Sequence, residues 1–193
     1  MGGAEDPARV LAAYVAALGH RPSDVVVAHS NAGLYVPSLT RSAGVTRAVL
    51  MDAVLPPPAG GQHPVAPAPL REALAPLARD GRLPRWTEWW PEEDVRALFP
   101  DARTRAEVHA ATPRVPSAYL AGSVTVPERW TDTVRGAYLA FGDTYAPERE
   151  LTEELGWPVR TLPLGHLGCL TDPVGVARAV HDLATGVTRS FPG

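Results

Sequence analysis

The sequence has no lysine and a single cysteine, Cys169. One cysteine cannot close an intramolecular disulfide and is too few for a cysteine-based zinc site. The six histidines offer no pair at ligand spacing either, so neither metal nor cofactor is expected. All 18 positive charges are arginine, set against 21 acidic residues for a net charge of -3. That balance lacks the basic excess of a nucleic-acid binder. No run approaches the ~20 apolar residues that a membrane span needs. The start, Met1-Gly2-Gly3-Ala4-Glu5-Asp6, lacks the basic opening and apolar stretch of a signal peptide, so a cytoplasmic protein is expected. What is present suits a soluble globular chain: 193 residues, 45% apolar, enough for one domain with a sizeable core over 1–193.

Four short apolar runs read as strands. Residues 24–28 carry three consecutive valines, and an apolar run without alternation is buried on both faces, as in a parallel sheet. Residues 45–51, 136–141 and 158–162 are the other three. Residues 7–18 place Val10, Leu11, Tyr14, Val15 and Leu18 on one helical stripe, with Pro7 suited to the first turn. Residues 172–183 form a similar helix, with Asp172 as N-cap before Pro173. Strands alternating with helices predict an α/β fold with a parallel sheet of about four strands. Residues 56–130 break the alternation. They hold most of the prolines, four of the five tryptophans, short helical pieces at 69–79, 92–99 and 101–111, and no convincing strand. So long an insertion predicts a helical cap over a site. Its tryptophans Trp86, Trp89 and Trp90 either line that site or only hold the insertion together.

The sharpest local feature is Ala28-His29-Ser30-Asn31-Ala32-Gly33, directly after the valines. A nucleophilic serine on a strand-to-helix turn needs small residues two before and two after it, because the backbone there is strained. Ala28 and Ala32 meet that need, with Gly33 behind; Pro37 is expected to shorten or kink the helix that follows. Such a turn exposes the serine hydroxyl at the carboxyl end of the sheet and aims the Asn31 N–H at a developing oxyanion. A serine nucleophile needs a base, and His166, between Gly165 and the Leu167-Gly168 pair past the last strand, is the candidate. The acid that orients it is expected to be Asp143, after the third strand, with Asp52 and Glu148 as alternatives. His29, beside the serine, joins Asn31 and the three tryptophans as a binding candidate, although strand neighbours face opposite ways and a structural role fits it equally. His20, His63, His109 and His181 are scattered, and Cys169 reads as inert core.

These residues resemble the α/β-hydrolase superfamily, nearest its hydroxynitrile lyase and plant methylesterase branch. AHSNAG is similar to the family's nucleophile elbow, AVLMDAVLP to its next strand, PSAYLAGSVTVPERW to the close of its cap, and PLGHLGCLTDP to its histidine loop. The resemblance runs in family order from about Asp6 to Leu183. It implies Ser30 as nucleophile, His166 as base and Asp143 or a neighbour as acid. In the family the acid stands a few residues after the glycine that ends the strand; counted from Gly142, that slot holds Tyr145. The family's earlier strands, and the loop that supplies a second oxyanion donor, have no counterpart, so the chain reads as N-terminally truncated against it. Strand 24–28 would then lie bare at an edge, and a second copy, a partner chain or the N-terminal helix is expected to cover it. The function implied is a serine hydrolase acting on a small apolar or aromatic ester, lactone or thioester. The alternatives are a lyase, cyclase or isomerase using Ser30 and His166 for proton transfer, and a non-catalytic partner subunit.

Overall fold

The computed structural model describes residues 6–19 and 25–186. Asp6 starts helix α1 (Pro7–Leu18): its carboxylate accepts the Ala8 N–H at 2.8 Å, and Pro7 occupies the first turn. The valines lead into strand β1 (Val26–Ser30), slightly later than expected; Asp24 and His20 lie outside the described residues. A 3-10 turn over Asn31–Tyr35 precedes helix α2 (Val36–Ser42). Pro37 therefore neither shortens nor kinks a helix begun at Ser30. It sits in the first turn of α2, where its missing N–H leaves no bond unmade.

Strand β2 (Arg47–Ala53) follows, then the insertion. The insertion contains β3 (Gly61–Pro64), α3 (Ala68–Leu74), α4 (Glu92–Ala97), α5 (Ala102–Ala111), α6 (Ser117–Ala121) and β4 (Ser123–Val126). Strand β5 (Arg135–Phe141), α7 (Ala146–Glu154), β6 (Val159–Leu162), α8 (Gly168–Thr171) and α9 (Pro173–Thr185) complete the described order. The expectation that the insertion holds no strand is corrected. Strands β3 and β4 pair antiparallel from Gly61↔Val126 to Pro64↔Ser123. Each is four residues long and one ends in proline, too little to read locally, yet the pairing ties the two ends of the insertion together.

The main sheet is parallel throughout in the order β1-β2-β5-β6. Its faces are buried separately. Ala28, Ala48, Leu50, Tyr138 and Ala140 face α2, α7 and the insertion, whereas Val49, Met51, Ala137, Leu139 and Phe141 face α9 through Val176 and Ala179. Burial on both faces is why the central strands β2 and β5 are continuous apolar runs. Strand β1 ends the sheet, and no described strand pairs with its outer side. Helix α1 rests on α2 and β4; its Leu11, Val15 and Leu18 meet Leu39, Val45 and Val26. That covers the start of β1 and leaves Val27 43% exposed. No helix among the described residues is long and apolar enough to cross a membrane.

Candidate active site

Ser30 ends β1 with φ 57 and ψ -132, a conformation that a residue with a side chain rarely adopts. What permits it lies around it. Ala28 is buried against the core, and any Cβ on Gly33 would overlap the Val54 carbonyl oxygen. The Val54 N–H in turn donates to the Ser30 carbonyl at 3.1 Å, which locks the bend against the end of β2. The hydroxyl is thereby raised at the carboxyl end of the sheet.

The second strained residue is Asp52, with φ 43. Strand β1 pairs His29 with Met51 and Ser30 with Ala53, so Asp52 is the extra residue of a bulge. A bulge re-aims a side chain, and here it turns a fully buried carboxylate toward the end of β5. Oδ1 accepts the Phe141 N–H at 3.0 Å and Oδ2 accepts Nδ1–H of His166 at 2.6 Å. The bulge is clamped from behind by Tyr138, whose hydroxyl donates to the Ala53 carbonyl at 2.6 Å and accepts the Ala53 N–H at 3.0 Å. With Nδ1 donating to the carboxylate, the Nε2 lone pair of the neutral ring is free for a proton, and it lies 3.1 Å from Ser30 Oγ.

His166 comes from the loop between β6 and α8. The Gly168 N–H donates to the Gly165 carbonyl at 2.7 Å and closes the loop tightly around it, and a Cβ on Gly168 would come within 2.8 Å of Leu164 Cβ. His29 braces the same loop. Its Nε2–H donates to the His166 carbonyl at 2.9 Å, and the two rings stand 4.6 Å apart. Burial and the neighbouring His166 hold the His29 imidazole below its ordinary pKa, against an opposing pull from Asp52, so it favours the neutral form. His29 contacts the base loop; its structural reading is the one the geometry supports.

The structure brings Ser30 and His166 together and sets Asp52, not Asp143, against the imidazole. Asp143 does not reach His166: beyond Gly142, whose φ is 67, the chain turns outward and leaves the Asp143 side chain 88% exposed, 3.5 Å from Arg149. Glu148 also stays apart from His166. It is half-buried, and burial first, then the charge of Asp52, raises its pKa. The slot two residues past Asp143 turns inward instead, and Tyr145 places its hydroxyl 3.2 Å from Ser30 Oγ. Tyr145 and Tyr138 were not legible as site residues, because a tyrosine in a loop or an apolar strand carries no motif. Cys169 packs with the α9 face of the core, and burial raises its thiol pKa.

Two cavities meet at this point. One, of about 440 Å³, is lined by Ser30, His166, Tyr145, Trp86, Trp89 and Trp90. The other, of about 590 Å³, is bordered by Asn31, Tyr119, Tyr145, Trp89, Leu70 and Glu148. Leu70, Trp89, Thr144 and Tyr145 belong to both walls. Trp86, Trp89 and Trp90 thus line the cavity that Ser30 borders, although Trp89 also donates its indole N–H to the Pro84 carbonyl at 2.9 Å and so holds its own loop. The Asn31 side-chain amide donates to the Val65 carbonyl at 3.0 Å, which fixes the residue after the serine against the insertion. His63 and His109 are engaged within the insertion, with Gly60 and Thr87 respectively. Among the described residues no group of three His, Cys, Asp or Glu is placed to hold a metal ion.

No family model and no curated protein sequence matches the chain. Among solved structures it superposes on an extracellular alpha/beta-hydrolase from a Paenibacillus species, described as sharing structural and functional homology with tobacco salicylic acid binding protein 2. The TM-score is 0.66 at 16% sequence identity, over 91% of this chain and 76% of that one. The chain has the α/β-hydrolase fold.

Proposed function

We propose that the protein is a serine hydrolase that cleaves a small ester, lactone or thioester through an acyl-enzyme on Ser30. The observation that carries this reading is the continuous chain from Ser30 Oγ through His166 to the buried Asp52 carboxylate, at 3.1 and 2.6 Å. Ser30 gives its proton to Nε2 as Oγ bonds to the acyl carbon, and the carbonyl π pair moves onto oxygen. That pair then re-forms the carbonyl as the bond to the leaving oxygen or sulfur breaks, and the leaving group takes the proton from Nε2. Water repeats the sequence on the acyl-enzyme and releases the acid. Asp52, not Asp143, holds the ring in the required tautomer and balances its charge once it is protonated. The Asn31 N–H is the first donor to the oxyanion.

The substrate is proposed to be apolar or aromatic, because Trp86, Trp89 and Trp90 wall the cavity on the His166 side. The structural neighbour is related by its description to a protein that binds salicylic acid, which agrees with an ester of a small aromatic acid. A cytoplasmic location is proposed on the single cysteine, which is free and needs no oxidising compartment.

Fluorophosphonate labelling tests the reading. Wild type is expected to form an adduct at Ser30, and Ser30→Ala to form none. Folded wild-type protein that stays unlabelled would refute it. A reaction that survives Ser30→Ala but is lost in His166→Ala would move the assignment to non-hydrolytic proton transfer.

A further inference from the structure

We propose that the Tyr145 hydroxyl is the second oxyanion donor of this site, a deepening that rests on the serine-hydrolase reading. Besides His166, the hydroxyl of Tyr145 is the one side-chain group within hydrogen-bond distance of the Ser30 hydroxyl among the described residues, at 3.2 Å. When Ser30 gives its proton toward Nε2, its oxygen can only accept from Tyr145, so the phenol O–H points at the reacting atom. The carbonyl carbon that bonds to Oγ carries its oxygen one bond further on, within reach of the same donor.

The placement also selects the correct side. A leaving group must lie beside the imidazole that protonates it, and His166 borders only the tryptophan-lined cavity. The developing oxyanion then points the other way. Tyr145 and Asn31 both border the second cavity, and the proposal places the oxyanion there, between the phenol and the Asn31 backbone N–H. The Asn31 side chain is not a rival donor, since its amide is spent on Val65. Burial raises the Tyr145 pKa, with the Asp52 and Glu148 charges adding to the rise, which keeps the phenol protonated. Tyr145 is held at the N-terminal end of α7 by the turn after β5, with the Ala146 N–H donating to the Asp143 carbonyl at 3.2 Å, and its ring lies 5.8 Å from that of His166. The O–H is therefore in place before substrate arrives, which is what makes such a donor effective.

The test uses p-nitrophenyl acetate as substrate, a phenylboronic acid as the probe that forms a tetrahedral serine adduct, and fluorophosphonate labelling as the control for Ser30. Tyr145→Phe keeps the ring and removes one oxygen. It is expected to lower kcat about 10²-fold with KM changed little, and to weaken boronate inhibition by a similar factor. Wild-type kcat in Tyr145→Phe overturns the proposal. So does a lower kcat with undiminished boronate affinity, which would make Tyr145 a positioning residue. If wild type neither labels nor hydrolyses, the hydrolase reading fails first and this inference falls with it, a result distinct from a labelled, active Tyr145→Phe.

Discussion

At the scale of single residues, two strained positions carry the site. Ser30 and Asp52 are two of the four non-glycine residues with positive φ among the described residues, and they lie on adjacent strands. Such conformations cost on the order of 1–3 kcal/mol each and persist where the surroundings over-determine them. Here the surroundings are identifiable: Gly33 and Val54 around Ser30, Tyr138 and Phe141 around Asp52. The choice of acid follows. Asp52 is fully buried, accepts a backbone N–H and lies 2.6 Å from His166 Nδ1, which supports it as the acid of the proposed hydrolase. Asp52→Asn is expected to lower the rate of p-nitrophenyl acetate hydrolysis by about 10⁴-fold, since an amide can hold the wrong tautomer. Asp143→Asn should change it less than twofold, because its carboxylate faces solvent. Equal losses in the two variants would contradict the assignment.

At the scale of elements, the end of β1 and the end of β2 act as one unit. The bulge in β2 lets Ser30 pair with Ala53 while Asp52 turns away, and the Val54 N–H then closes on the Ser30 carbonyl. Gly33 is the point where the turn after Ser30 passes against that strand end without room for a methyl group. Gly33→Ala must push two backbones apart, and overpacking of this kind costs about 1–3 kcal/mol. The expected outcome is a lower midpoint in urea denaturation with fluorophosphonate labelling slowed in the protein that remains folded. Unchanged stability together with unchanged labelling would show that the bend does not depend on this contact. The short β3–β4 pair has a comparable role for the insertion: it brings residues 61–64 and 123–126 together and so closes the segment that carries Trp86, Trp89 and Trp90.

At the scale of the whole molecule, β1 and β6 are the two edges of the sheet. Helix α9 covers the face formed by β2 and β5, and its reach ends before Val27. Among the described residues no strand pairs with the outer side of β1, and an apolar strand with an open side is a template for pairing. We propose that a second copy of the chain pairs with it, because an edge repeated by a two-fold axis is self-complementary. Light scattering is expected to give a dimer, and Val27→Lys to shift it to monomer. A wild-type monomer at every concentration, with the β1 amides exchanging rapidly, would leave the edge uncovered and end the proposal.

Residues 45–51 and 136–141 were legible as strands because burial on both faces, seen in β2 and β5, leaves runs of apolar residues that need no context; the edge strands β1 and β6 are less buried. Ser30 and His166 were legible for a local reason too: a serine between small residues and a histidine among glycines each state a backbone constraint within a few positions. The acid was not decidable in the same way. Asp52, Asp143 and Glu148 are alike as loop or strand-end carboxylates, and which one meets the imidazole depends on a bulge set by pairing with another strand. Tyr145 escaped for the same reason, since its approach to Ser30 spans 115 positions and exists only once β5 lies two strands from β1. Local backbone demands and hydrophobic period thus belong to the sequence itself. The partners of a carboxylate or a phenol belong to the packed sheet, because long-range register, not neighbouring residues, decides which side chains meet.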